Sequence, residues 1–174
     1  MKTQNMHSKI DFNALSEQDW LDFLDQGGVL ADTVDLSKEQ LEAIYTLAYN
    51  LYSAGSYSQA LKVFQLLCNL NHYEARFYLG LGATRQALKQ FELAGETYGF
   101  AAMLYPEDPR FPFHAAQCHL NLNNVKAAGS GFEEASRRCG NASEHAAIKT
   151  ESDKQIESLQ ACLANTQSQQ ISED

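Results

Sequence analysis

Proline is almost missing from this chain: three occur in 174 residues, all between positions 106 and 112. So few breakers, bunched at one place, suit long helical runs with one stiff corner. No stretch approaches the roughly 18 consecutive apolar residues that a membrane span needs. The opening residues, MetLysThrGlnAsnMetHisSerLysIle, lack the apolar run of a secretory signal. Cys68, Cys118, Cys139 and Cys162 lie far apart with no CysXXCys pair, so they read as small core residues of a reducing cytosol. Basic residues are scarce too. The 13 Lys and Arg face 22 Asp and Glu, a net charge of −9. That balance argues against nucleic acid or an anionic membrane as partner, because both demand a basic face.

What the chain does have is a period. Between Ala75 and Pro106, two apolar helical patterns are separated by the polar pair Lys89-Gln90, with Tyr78, Leu81, Gly82, Ala94, Tyr98 and Ala101 as their spaced small and large residues. Shifting back by 34 residues carries Ala94 to Ala60, Tyr98 to Phe64, Gly82 to Ala48 and Phe91 to Tyr57. Shifting forward by 34 carries the same four to Ala128, Phe132, Ala116 and Val125. Small stays small and large stays large, which is the signature of tandem tetratricopeptide (TPR) repeats. The expected fold is therefore all-α: a TPR helical-hairpin solenoid of three repeats, at about 41–72, 75–106 and 109–138, within 37–140.

The flanks divide as follows. Residues 1–15 are polar and expected to be flexible. In 16–36, Ser16 can cap a helix whose apolar face is Trp20, Leu21, Phe23 and Leu24, ended by Gly27-Gly28. That face packs either on the first repeat or on a second subunit. Ser37 with Gln40 forms a capping box for the first repeat helix, and Gly55-Ser56 is its turn. Asp108 caps the third repeat with Pro109 at the first helical position. Pro112 should then distort that first turn or delay the helix. Gly95, Gly99, Gly129 and Gly131 reflect either close helix crossing or a solenoid left deliberately adjustable. A capping helix is expected over 141–164, with Ile148, Ile156, Leu159 and Leu163 as its apolar stripe, and a disordered tail over 165–174.

Catalysis finds little support, and no cofactor is implied. His114 and Cys118 share a helix face as two metal ligands would, but no third ligand is placed nearby, so packing is the better reading. Gly80-Leu81-Gly82 begins like a dinucleotide loop, yet Arg85 stands at the third glycine position and no strand precedes it. The informative feature is a second apolar stripe on the first helix of each repeat. Ile44, Leu47, Ala48 and Leu51 form the packing face; Tyr45, Tyr49 and Tyr52 are rotated about 100° from it. Their equivalents are Leu79, Ala83 and Gln86, then Phe113, Gln117 and Leu120. In TPR geometry these positions line the inner groove, although they could also be a wider core. Arg76 and Arg110, each followed by Phe, are either polar anchors at the rim or plain surface charges. A groove lined this way suits an extended apolar polypeptide rather than an acidic C-terminal peptide.

The segments LeuGluAlaIleTyrThrLeuAlaTyrAsn (41–50), AsnHisTyrGluAlaArgPheTyrLeuGlyLeuGlyAla (71–83) and ProArgPheProPheHisAlaAlaGln (109–117) closely resemble the class II chaperones of bacterial type III secretion, the LcrH/SycD group. The resemblance covers about residues 18–140. It implies an ATP-independent chaperone of the bacterial cytosol for two hydrophobic translocator proteins, whose N-terminal segments would lie in the groove against Tyr45, Tyr49, Tyr52, Leu79, Ala83 and Phe113. It also implies a homodimer through the N-terminal helices, matching Trp20, Leu21, Phe23 and Leu24, and in some members a link to a transcriptional regulator. A generic TPR scaffold joining folded proteins is the alternative from another functional class.

Overall fold

The computed structural model describes residues 36–171, with side chains as far as Cys162. The expected helix bearing Trp20, Leu21, Phe23 and Leu24 lies outside the described residues. Seven α-helices follow one another: α1 (Lys38–Ser53), α2 (Tyr57–Leu70), α3 (Ala75–Ala87), α4 (Phe91–Leu104), α5 (Arg110–Asn121), α6 (Val125–Cys139) and α7 (Ala146–Ile171). A 3-10 turn, Ser143–His145, precedes α7. Among the described residues there is no strand, and no helix is long and apolar enough to cross a membrane. Each helix packs on its neighbours in sequence, and α1 also touches α3 as α5 touches α7.

Local chemistry explains where the helices start and stop. Ser37 Oγ accepts from the Gln40 N–H (3.2 Å) while Gln40 Oε1 accepts from the Ser37 N–H (2.8 Å), so the capping box closes α1 at its start. The three hairpins turn identically. Gly55, Lys89 and Asn123, spaced by the repeat, have φ of 75°, 59° and 56°. One residue on, the N–H groups of Ser56, Gln90 and Asn124 each reach back to Leu51, Arg85 and His119 carbonyls at 2.9 Å. This six-to-one bond over a left-handed residue satisfies carbonyls that the helix end would otherwise leave open.

The core repeats with the sequence. Phe64, Tyr98 and Phe132 are fully or almost fully buried, as are Ala60, Ala94 and Ala128 beside them. Tyr98 packs so tightly on Gly82 that a Cβ there would lie 2.3 Å from the ring, and Phe64 meets Gly80 at 2.1 Å in the same way. Gly131 is likewise forced small, since a Cβ would lie 2.8 Å from that of Ala116. Close crossing does not extend to Gly99 and Gly129, where a Cβ would meet open space. At the far end Ile148, Ile156 and Leu159 of α7 cover a second cluster of Phe113, Ala116, Ala128, Phe132 and Ala135.

Three expectations are corrected. Pro112 does not delay α5, which begins at Arg110. The Arg138 guanidinium donates to the carbonyls of Ala102 (3.2 Å), Tyr105 (3.2 Å) and Asp108 (3.5 Å), supplying at Asp108 the donor that Pro112 lacks. Asp108 still caps, its Oδ1 accepting from the Arg110 N–H at 3.0 Å. Helix α7 runs on to Ile171 rather than ending near 164, because 165–171 contains no glycine or proline to stop it. Leu47 is 52% exposed although it sits on the expected packing face. Its repeat equivalent Leu81 is buried among core residues that include Phe64 and Leu67 of α2, and no preceding hairpin exists among the described residues to do the same for Leu47.

Candidate peptide-binding groove

The first helix of each hairpin carries the second stripe, and the repeat sets it in columns. Tyr45, Leu79 and Phe113 form one column; Tyr49, Ala83 and Gln117 form the next. They differ in how far they remain open. Tyr49 is 56% exposed, whereas Phe113 is 8% exposed and meets Phe132 edge-on at 5.7 Å. Tyr45 is partly buried, its ring 6.2 Å from Phe64 and 5.8 Å from Phe77. Tyr52 meets Tyr57 at 5.4 Å. Leu79 packs partly on the core, and Ala83 is partly buried. Thus Tyr45 and Phe113 of the candidate groove also serve the core, while Tyr49 offers most of its face.

The two polar members of the stripe hold the scaffold in place. Gln86 Oε1 accepts from the Tyr98 hydroxyl at 2.8 Å. Gln117 Oε1 lies 2.9 Å from His114 Nδ1, whose ring stacks on Tyr98 at 5.2 Å. Burial lowers the His114 pKa, opposed by the Gln117 bond. Burial likewise pushes the Cys118 thiol up to about 11 and the Cys68 thiol up to about 12, so neither is a ready thiolate. Among the described residues no three His, Cys, Asp or Glu side chains converge as a metal site would require.

Arg76 and Arg110 are already engaged. Arg76 bonds to Glu42 and Glu74, both at 3.1 Å, with its guanidinium 4.8 Å above the Tyr45 ring. Arg110 is held by Asp108 at 2.6 Å. Burial would raise the Asp108 carboxyl, but the side-chain and backbone bonds from Arg110 outweigh it and hold the pKa below its ordinary value. These pairs brace the stripe's edge, and Arg76 orients Tyr45.

Two clefts open on the solenoid. One, of about 240 Å³, lies where α5 faces α7 and brings Gln86, Phe113 and Gln117 together with Leu120, Phe132 and Glu151. Glu151 was missed in the sequence, although shifting Gln117 forward by 34 lands on it. The other, of about 520 Å³, lies between α2 and α4 and is lined by Tyr78, Leu81, Arg85 and Phe100. Its sequence signal is the apolar Phe100 on a second helix, which lines the cleft and stays exposed.

A tetratricopeptide-repeat family model matches residues 41–74. The low calcium response locus protein H of Yersinia pestis is 42% identical over 137 residues, covering 79% of this chain and 82% of that protein. A type III secretion complex from Aeromonas hydrophila contains a chain with TM-score 0.80 and 44% identity, covering 85% of this chain and 99% of that one. The translocator chaperone SycD of Yersinia enterocolitica, solved with a peptide of the translocator YopD, gives TM-score 0.69 and 42% identity, covering 72% of this chain and 95% of its own. SycD has also been solved as an alternative dimer. With its repeats, its helical hairpins and relatives of this closeness, the chain belongs to the type III secretion translocator chaperones, the LcrH/SycD family of TPR proteins.

Proposed function

We propose that the inner face formed by α1, α3 and α5 holds an extended apolar segment of a secreted translocator, keeping it soluble in the bacterial cytosol until export. The observation that carries this is the column of Tyr49, Ala83 and Gln117, in which Tyr49 is exposed and Ala83 and Gln117 are half-buried. A large exposed aromatic stands beside a small residue, giving a docking wall next to room for a backbone. Chaperoning of this kind requires binding and release without covalent turnover, and the buried, protonated thiols fit that. A carrier of charge −9 adds repulsion that keeps loaded complexes apart. The segment 16–36, through Trp20, Leu21, Phe23 and Leu24, is proposed as the homodimer contact. A transcriptional regulator is a further partner suggested by family resemblance.

The test is a titration of the YopD peptide, the ligand of the relative SycD, against wild type, Ala83→Glu and Tyr49→Ala. Ala83→Glu sets a carboxylate where the ligand buries apolar surface. Tyr49→Ala removes an interface aromatic and should weaken binding by about 1–3 kcal/mol. Neither residue belongs to the fully buried core, so circular dichroism and melting temperature should move little. Equal affinity in all three proteins removes the groove from the mechanism.

A further inference from the structure

The cleft between α5 and α7 ends the groove with a different chemistry from its other positions. Glu151 continues the column of Tyr49, Ala83 and Gln117, and α7 brings it against α5. Its walls are the apolar Phe113, Leu120 and Phe132 together with the amides of Gln86, Gln117, Asn121 and Gln155. Glu151 is partly buried there, and its Oε1 accepts one bond, from Gln155 Nε2 at 2.7 Å. Among the described residues no Lys, Arg or His lies within ion-pair distance of it. The Gln86 carbonyl oxygen is engaged by Tyr98 and the Gln117 carbonyl oxygen by His114. Asn121 and Gln155 add neutral amides to the lining, and Glu151 is the one charged residue among the side chains that line the cleft.

We propose that this cleft is a subsite for a basic side chain of the bound segment, a proposal that rests on the groove reading above. A Lys or Arg lays its methylene stem along Phe113, Leu120 and Phe132 and brings its charged end to Glu151. The alternatives are worse matched. An apolar side chain would dehydrate the carboxylate without supplying a donor. An acidic one would meet like charge, on a protein already at −9. The groove therefore reads two features of its client: apolar residues along α1 and α3, and a cation at the α7 end. That arrangement also sets the direction in which the segment lies.

The probe is the YopD peptide with each position replaced in turn by Lys, Leu or Glu, titrated against wild type, Glu151→Gln and Glu151→Lys. At one position Lys should bind about fivefold more tightly than Glu, the upper range for a partly exposed pair. Glu151→Gln should level that preference and Glu151→Lys invert it, with added salt shrinking it in the wild type. The same rank order of peptides in all three proteins overturns the subsite and leaves the groove standing. Absence of binding by every peptide, or binding indifferent to Ala83→Glu, overturns the groove and the subsite with it. Should Glu151→Lys lose helicity, the isosteric Glu151→Gln decides alone.

Discussion

His114 shows how much a single polar residue is asked to do. Its ring stacks on Tyr98, meets Phe113 edge-on at 5.4 Å and bonds to Gln117 through Nδ1. Burial lowers its pKa from the ordinary 6.5; the Gln117 bond opposes that, and to a smaller extent Arg110 lowers it and Asp108 raises it. A base whose folded pKa lies below its unfolded one binds more protons when unfolded. Its contribution to stability is present above the unfolded pKa of about 6.5 and is lost as pH falls below it. The urea midpoint of the wild type should therefore drop from about pH 7.5 to about pH 5.5 by more than that of His114→Phe, which keeps an aromatic ring but cannot titrate. Equal drops would show that folding does not lower the His114 pKa.

At the scale of an element, the hairpin turns repeat in geometry more faithfully than in residue type. The same left-handed position is filled by Gly55, Lys89 and Asn123. Glycine adopts that conformation without penalty and asparagine tolerates it, whereas a lysine Cβ is crowded there. Lys89→Gly should stabilise the protein by about 0.5–1 kcal/mol, part of the relief being offset by the greater freedom of glycine when unfolded. Melting followed by circular dichroism should rise by about 2–4 °C. A fall would mean that the lysine side chain contributes something its exposed position does not reveal. The α5 start makes a related point: Pro112 is tolerated because Arg138, from a helix in the same hairpin, reaches the carbonyl it leaves open. Arg138 also ties down Ala102 and Tyr105 at the end of α4.

For the whole molecule, a solenoid needs both of its ends closed, because each hairpin buries a face only against its neighbours. Helix α7 closes one end through Ile148, Ile156 and Leu159. At the other end Leu47 is left open among the described residues. Trp20, Leu21, Phe23 and Leu24 are too apolar to leave free in solution. Trp20→Glu combined with Leu24→Glu should give a folded protein of monomer mass by light scattering if these residues form the proposed subunit contact. An unchanged dimer mass would remove them from it. Ordinary repeat packing should be untouched, since Ala48, Ala60 and Phe64 are buried in the core of the repeats.

The period of 34, with Gly82 opposite Tyr98 and Ala60, Ala94 and Ala128 in register, determined the fold class and hairpin order by itself. It could do so because close helix crossings admit only small residues and the gaps between them only large ones. The same period placed Tyr45, Tyr49 and Tyr52 on one stripe, but not their depth. Only the tertiary structure decided that Phe113 is taken into the core and Tyr45 partly so while Tyr49 stays open, since that depends on which neighbouring helix covers each ring. It also decided that Arg76 and Arg110 are bound to carboxylates, and that α5 begins at Arg110 despite Pro112. Above all it set Glu151 against Phe113. Periodicity identifies the face on which a residue lies, whereas a cleft is made by side chains from helices far apart in the chain.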